Sequence, residues 1–489
     1  MNRMVALLKC LTATSVFWAG AIGTAIAQTE TIETASETWN LPEVSEIAPG
    51  VRSKLKYREV DAVLPVRGTK FMIRVPVNWN GTLLNDLDYR NKANSRLSLL
   101  LLEKGYALSG TTRRSDRFEN YDPAREAHDF ISIFDIFEAT FGKPKWIIQM
   151  GCSGGGTVSL SMAEKYSDRI DGAIAACGAT SQWMANTHLD GLFVMQALLA
   201  PDLPIVNLGG LDAPSLSELG NNWKDAIDKA QQTPEGRARI ALAITIGQWP
   251  AWGGRGTSAV PKPDPTDVHT LQESMYHSMA MLLPNSKTKG TTMLELAGHG
   301  QLRSNTDVDY AALYHNGNRL YKTAVETLYE QSGQSLEADL KRINAARRIK
   351  PDPAALKYWS VPGRTHVGEP RVPLFRIHTV GDGLVYPAMA QGYEELVREK
   401  GHSKLFRSAY VDRWGHCSFS VAEWLAAIET MNQRLDTGVW PSTSPETLNK
   451  LGQSLDPAGT TRFSEYKGVA KYNRTWVPTA SDYLGEIHK

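Results

Sequence analysis

The stretch Lys145–Gly156, KWIIQMGCSGGG, constrains this chain more than any other. Lys145 to Met150 is a short apolar run of the kind that forms a buried strand. Gly151-Cys152-Ser153-Gly154-Gly155 then fits G-x-S-x-G, and a helix-compatible segment, TVSLSMAEKYSDR, follows. Strand, sharp turn and helix in that order is the context in which a serine is held in a strained backbone at the carboxyl end of a sheet. Glycines on both sides let strand and helix approach without a Cβ clash.

The rest of the chain reads as support for that turn. Lys56–Val66 and Lys70–Val77, joined by Arg67-Gly68-Thr69, predict an antiparallel hairpin. Thr82–Leu87 and Tyr106–Thr111 predict strands, with a helix from Ser95 to Lys104 between them ending at Gly105. Pro123 opens a helix that runs to about Thr140. Ile170–Ala176, Val372–Val380 and Leu405–Val411 predict further strands, the last of these closing the set. Helices at Pro387–Lys400 and Ser418–Leu435 complete the pattern, and the final fifty or so residues carry no clear patterning. Strands alternating with helices imply an α/β fold, a mainly parallel sheet flanked by helices.

The alternation stops between about Gly178 and Glu369. Leu189–Leu199, Pro234–Ile246, Leu271–Leu283, Tyr310–Ser332 and Leu336–Arg348 predict helices, separated by pieces such as Gln248-Trp249-Pro250-Ala251-Trp252. This predicts a large, mostly helical cap over 179–370, inserted between core segments at 28–178 and 371–489; an independent domain is the alternative. Trp249 and Trp252 are the cap's candidate substrate contacts.

At the start, Arg3 and Lys9 precede an apolar run from about Cys10 to Ile22, and Ala25-Ile26-Ala27 is an A-x-A cleavage pattern. Residues 1–27 therefore predict a signal peptide, export to a periplasmic or extracellular location, and no membrane span after cleavage. The 53 Lys+Arg against 52 Asp+Glu leave no electrostatic footprint for nucleic acid.

A serine attacks only if a base removes its proton, and on this fold the order should be serine, acid, histidine. Gly381-Asp382-Gly383 follows a predicted strand, and Trp414-Gly415-His416-Cys417 follows the last one. Ser153, Asp382 and His416 are therefore the expected nucleophile, acid and base, with Asp412 the second candidate for the acid. His378 lies inside a predicted strand and is expected to be structural. The backbone amide of Gly154 is the expected first oxyanion donor, and that of Tyr89, after the Thr82–Leu87 strand, the candidate second. If Ser153 meets His416, then Cys152 and Cys417 must also be close, and a disulfide between them is expected, with Cys177 left as a buried thiol.

The set GCSGGG, GDG and GHC resembles the CS-D-HC arrangement of the tannase and feruloyl-esterase-like group of α/β-hydrolases. The resemblance implies a disulfide tying the two catalytic segments together, a large lid, and hydrolysis of aromatic or feruloyl- and tannin-like esters. Gly154 departs from the group's commoner form, which carries a small hydroxylated residue after the serine. A wider group of exported α/β-hydrolases shares the cysteine device alone. The expected activity is cleavage of a small-molecule carboxylic ester through an acyl-enzyme. A peptidase or amidase of the same fold is the second reading, and a non-catalytic ligand-binding protein the third. With no dinucleotide fingerprint, H-E-x-x-H, metal-type cysteine cluster or D-x-D-x-D-G loop, no cofactor or metal is expected.

Overall fold

The computed structural model describes residues 55–468, apart from 66, 118, 180, 254–260 and 283–287. The expected signal peptide lies outside the described residues. The chain packs as two compact units, the first holding residues 55–84, 89–112 and 129–145, the second holding 85–88, 113–128 and the chain from 146 onward.

In the first unit, β1 (Tyr57–Val63) and β2 (Lys70–Pro76) form the antiparallel hairpin, with Val60 opposite Ile73. β3 (Thr82–Asp86) follows, its last two residues belonging with the second unit. Next come α1 (Tyr89–Lys92), α2 (Arg96–Glu103) and β4 (Ala107–Thr111), and β4 pairs antiparallel with β2. Ser95 caps α2 by accepting from the Ser98 amide, the device that satisfies an orphan first-turn donor. α3 (Pro123–Phe141), whose residues 123–128 belong with the second unit, buries Phe130, Ile133, Phe134 and Phe137 along one face, the three-four spacing of an amphipathic helix.

The second unit opens with β5 (Trp146–Cys152), α4 (Gly154–Lys165) and β6 (Gly172–Ala176). A helical stretch follows: α5 (Ser181–Leu198), α6 (Ala213–Gln231), α7 (Pro234–Gly247), α8 (Val268–Leu282), α9 (Thr288–Gly298), α10 (Tyr310–His315), α11 (Arg319–Ser332), α12 (Leu336–Ala345) and α13 (Pro353–Trp359). The unit ends with β7 (Leu374–Gly381), α14 (Pro387–Glu399), β8 (Phe406–Trp414), α15 (Val421–Thr437), α16 (Pro445–Leu455) and β9 (Phe463–Ser464). β5 pairs with β6, β6 with β7 and β7 with β8, all parallel, while β9 lies antiparallel on β8. All five residues of β6 are buried, as expected of a parallel strand with both faces covered.

The helical stretch has its own apolar centre. Leu192, Phe193, Ile240, Ile244, Trp249, Met275 and Val325 pack there, and Tyr386 and Met389 from the start of α14 join them. Among the described residues, no helix is long and apolar enough to cross a membrane.

Several expectations need correction. α4 begins at Gly154, three residues before the expected Thr157, because the turn feeds directly into the helix. The single helix expected from Tyr310 to Ser332 is two, α10 and α11. Asn318 caps α11 by accepting from the Leu320 and Tyr321 amides, so the chain restarts there. Leu405–Val411 is not the last strand, since β9 follows it. Nor is Ser418–Leu435 the last helix, since α16 packs against α15. α6, α9 and α13 were not foreseen.

Candidate active site

Ser153 sits between β5 and α4 with φ 61° and ψ −121°. A non-glycine residue held there costs about 1–3 kcal/mol and persists only where its surroundings fix it. Here they do. The Ser153 amide donates to the Ala176 carbonyl of β6 at 3.0 Å, and the Ser153 carbonyl accepts from the Thr157 amide of α4 at 2.9 Å. Strand and helix meet so closely that a Cβ on Gly151 would lie 2.8 Å from the Gly155 carbonyl carbon. The Gly154 amide belongs to the first turn of α4, whose N–H groups have no partner within the helix and form the positive end of its dipole.

Asp382 follows β7. The β7–β8 register shifts between Thr379 and Gly381, so that Gly381 pairs with Trp414. Such an irregularity re-aims the side chains that follow it. Thr379 Oγ1 donates to the Gly415 carbonyl at 2.8 Å, and the Gly415 amide donates to the Gly381 carbonyl at 3.0 Å. The two strand ends are thus tied together immediately before Asp382 and His416. His416 Nδ1–H donates to Asp382 Oδ2 at 2.7 Å. Asp382 Oδ1 accepts from the Leu384 and Val385 amides, each at 2.9 Å. Asp382 is fully buried. Burial works against its charge, but the His416 imidazole, then His378 and the Val385 amide, outweigh it and hold the carboxyl below the ordinary carboxylate value.

The Asp382 bond fixes the His416 tautomer, leaving Nε2 as the accepting nitrogen. Nε2 is buried and has no hydrogen-bond partner, so the Ser153–His416 bond is not made in this structure. Catalytic hydrogen bonds often tighten only when substrate is bound. What does join the two segments is covalent: Cys152 and Cys417 form a disulfide, S–S 2.00 Å and Cα–Cα 6.1 Å. Ser153 is the next residue after one cysteine, and His416 is the residue before the other.

The buried Cys177 thiol comes within 4.8 Å of the disulfide sulfurs and of the Asp382–His416 pair. Burial, then the nearby Asp382 charge, push its pKa up, so it stays protonated and a poor nucleophile toward the disulfide. These are also the described cysteine, aspartate and histidine atoms clustered closely enough to share a metal ion, but two of the sulfurs are bonded to each other and Asp382 to His416.

His378 is buried. Its Nε2 donates to the Val385 carbonyl at 2.8 Å and lies 3.6 Å from Asp382 Oδ2. Burial pushes its pKa down to about 4, so it is a neutral prop for the Asp382 loop. Asp412 instead pairs with Lys262. Trp249 is fully buried, with its ring 5.4 Å from that of Tyr386. Trp252 lies over the end of β7, 2.9 Å from where a Gly381 Cβ would stand. Tyr89 opens α1 in the first unit, its side chain buried beside Arg74 and Tyr57. In the second unit, Leu87 Cβ lies 3.4 Å from where a Gly155 Cβ would stand.

Two arginines that no sequence motif marks stand at the elbow. A Cβ on Gly154 would lie 2.2 Å from Arg117 Nη2 and 3.4 Å from Arg113 Nη1. Both arginines come from the loop between β4 and α3. The run Arg113-Arg114-Ser115-Asp116-Arg117 was the available signal, but nothing local to it says that it folds back on the serine.

A family described as a tannase-like family of unknown function matches residues 61–214. The chain is 39% identical over 454 residues to the o-phthalyl amidase of Xanthobacter agilis, covering 88% of this chain and 99% of that protein. Among solved structures, feruloyl esterase B from Aspergillus oryzae is 12% identical with a TM-score of 0.36, covering 83% of this chain and 86% of that one. Tannin acyl hydrolase from Aspergillus niger is 16% identical with a TM-score of 0.38, covering 83% and 84%. The chain belongs to the tannase-like family.

Proposed function

We propose that the protein is a serine hydrolase that cleaves the acyl bond of a small aromatic acid derivative through an acyl-enzyme, with an amide of the phthalyl type as its leading substrate. The observation that carries this is the placement of Ser153 and the Asp382–His416 pair on two segments joined by the Cys152–Cys417 disulfide. In this reading Ser153 Oγ attacks the acyl carbon. His416 Nε2 takes its proton and then delivers it to the leaving amine or alcohol. Asp382 holds the imidazolium, and the Gly154 amide donates to the oxyanion. Water attacks the acyl-enzyme by the same route and releases the acid.

The choice of an amide before an ester rests on the name of the relative that is 39% identical. Carboxylic esters of the same acids stand second, since the acylation chemistry is shared. The disulfide supports an oxidising location and hence export of the chain.

The test is steady-state hydrolysis of a phthalyl anilide and the matching phthalyl monoester by wild type and Ser153→Ala. The expected result is turnover of both by wild type and a loss of up to about a million-fold in kcat in the variant. Turnover by the variant within tenfold of wild type would refute the assignment.

A further inference from the structure

The departure at Gly154 has a physical consequence. A side chain there would put its Cβ 2.2 Å from Arg117 Nη2 and 3.1 Å from Cζ, so the guanidinium could not keep its place. The glycine leaves room for a cation against the residue that follows Ser153.

That cation is built in. Arg117 Nε donates to Glu126 Oε1 at 2.8 Å, and its Cζ lies 4.4 Å from the Tyr121 ring centroid. These contacts fix one edge and one face of the guanidinium. Nη2, the nitrogen nearest Gly154, is buried and makes no hydrogen bond, and the whole residue is only 8% exposed. A buried guanidinium donor without a partner costs free energy, so it persists for a reason. Burial opposes the Arg117 charge, but Glu126 holds it up, and the group remains a cation. Arg113 stands behind it. Asp88 grips Arg113 through Nε at 2.5 Å and Nη2 at 2.8 Å, which leaves Nη1 toward the same place.

We infer that Arg117, seconded by Arg113, is the specificity determinant of this site and binds a carboxylate carried by the acyl group close to the scissile carbonyl. Arginine suits the task because its fork matches the two oxygens of a carboxylate. The position sets the substrate geometry. If Gly154 N–H holds the oxyanion, an anion at Arg117 must lie only a few bonds from the carbonyl. Half-amides and half-esters of 1,2-dicarboxylic acids meet that demand, whereas simple benzoyl derivatives leave Nη2 unpaired. The inference rests on the hydrolase reading above for its catalytic form, but the anion site itself can be measured without turnover.

The test has two parts. Calorimetry on wild type, with phthalate and benzoate as probes, should show phthalate binding at least tenfold tighter. Kinetics should then compare a phthalyl anilide with its methyl-ester-capped counterpart, in wild type, Arg117→Lys and the Arg117→Gln/Glu126→Gln double variant. The double variant removes both buried charges at once, so neither is stranded. The ratio of kcat/KM for free acid over capped substrate should fall roughly 100-fold. If neither substrate is turned over by wild type, the hydrolase reading fails while the phthalate preference, with its loss in the double variant, still supports the anion site. Equal binding of phthalate and benzoate, or a ratio unchanged because both substrates fall alike, overturns the inference.

Discussion

Replacing both Cys152 and Cys417 with alanine separates what holds the site together from what performs chemistry there. The disulfide spans 265 residues of chain. In the chain-entropy model a loop of that length removes about 19 cal/mol/K from the unfolded ensemble, or roughly 5.5 kcal/mol at 25 °C, as a ceiling. With an unfolding entropy of about 2.1 cal/mol/K per residue taken over residues 55–468, that ceiling is a fall in Tm of about 6 °C. The double variant is the clean one, because a single substitution leaves a thiol near the buried Cys177, with which it could pair. Activity should suffer separately. Losing the tether frees the His416 loop, and a displacement of about 1 Å can cost on the order of 100-fold in rate. The assay is a thermal melt and steady-state kinetics on the same preparations, with dithiothreitol-treated wild type alongside. The expected outcome is a Tm lowered by several degrees, kcat down about 10- to 100-fold, KM little changed, and a variant indifferent to reductant. A Tm within about 1 °C and a kcat within twofold of wild type would refute the claim that the bond constrains the site.

Three further outcomes follow from the geometry. Asp382→Asn leaves the shape but removes the charge that selects the His416 tautomer, so kcat should fall about 10⁴-fold with the fold intact by circular dichroism; a fall under tenfold would contradict the role of Asp382. Burial holds His366 down to about 3 and His378 down to about 4, both below the ordinary value of 6.5. Stability they contribute is complete above about pH 6.5 and is lost as pH falls toward those values, by roughly 3–5 kcal/mol each at most. His366 Nε2 lies 3.1 Å from the Thr157 carbonyl and 3.0 Å from Ser161 Oγ. His366→Gln, which keeps a donor there, should flatten the decline in urea midpoint between pH 6.5 and 4, and an unaltered slope would speak against this. Gly151→Ala would put a methyl 2.8 Å from the backbone of Gly155; overpacking of this kind costs about 1–3 kcal/mol or more, read as a lower urea midpoint, and unchanged stability would contradict the close approach.

The site was legible where chemistry and local conformation coincide in sequence. G-x-S-x-G after an apolar run announces a strand, a strained turn and a helix within a dozen residues. Asp382 and His416 each stand just past a strand, and their contact needs only those strands to be neighbours, which the β7–β8 pairing supplies. The pairing of Cys152 with Cys417 follows from the same adjacency. Arg117 was not legible, because its partner Gly154 is a residue without a side chain and the contact depends on how one loop folds back. The β7–β8 irregularity that aims Asp382 was hidden for a similar reason: Thr379 acts through a carbonyl 36 residues away. Among the helices, polar surfaces decided the misses. α6 carries only Leu219, Gly220, Trp223 and Ile227 on its buried side, and α13 is seven residues long, too short to show a period.

The most direct measurement is covalent labelling of the folded protein with a fluorophosphonate, followed by peptide mapping under non-reducing conditions. One adduct is expected, on Ser153, in a peptide cross-linked through Cys152 to Cys417. Ser153→Ala should take no label, and His416→Ala should label far more slowly. An unlabelled wild type that still hydrolyses its substrate, or an adduct on any other residue, would contradict it.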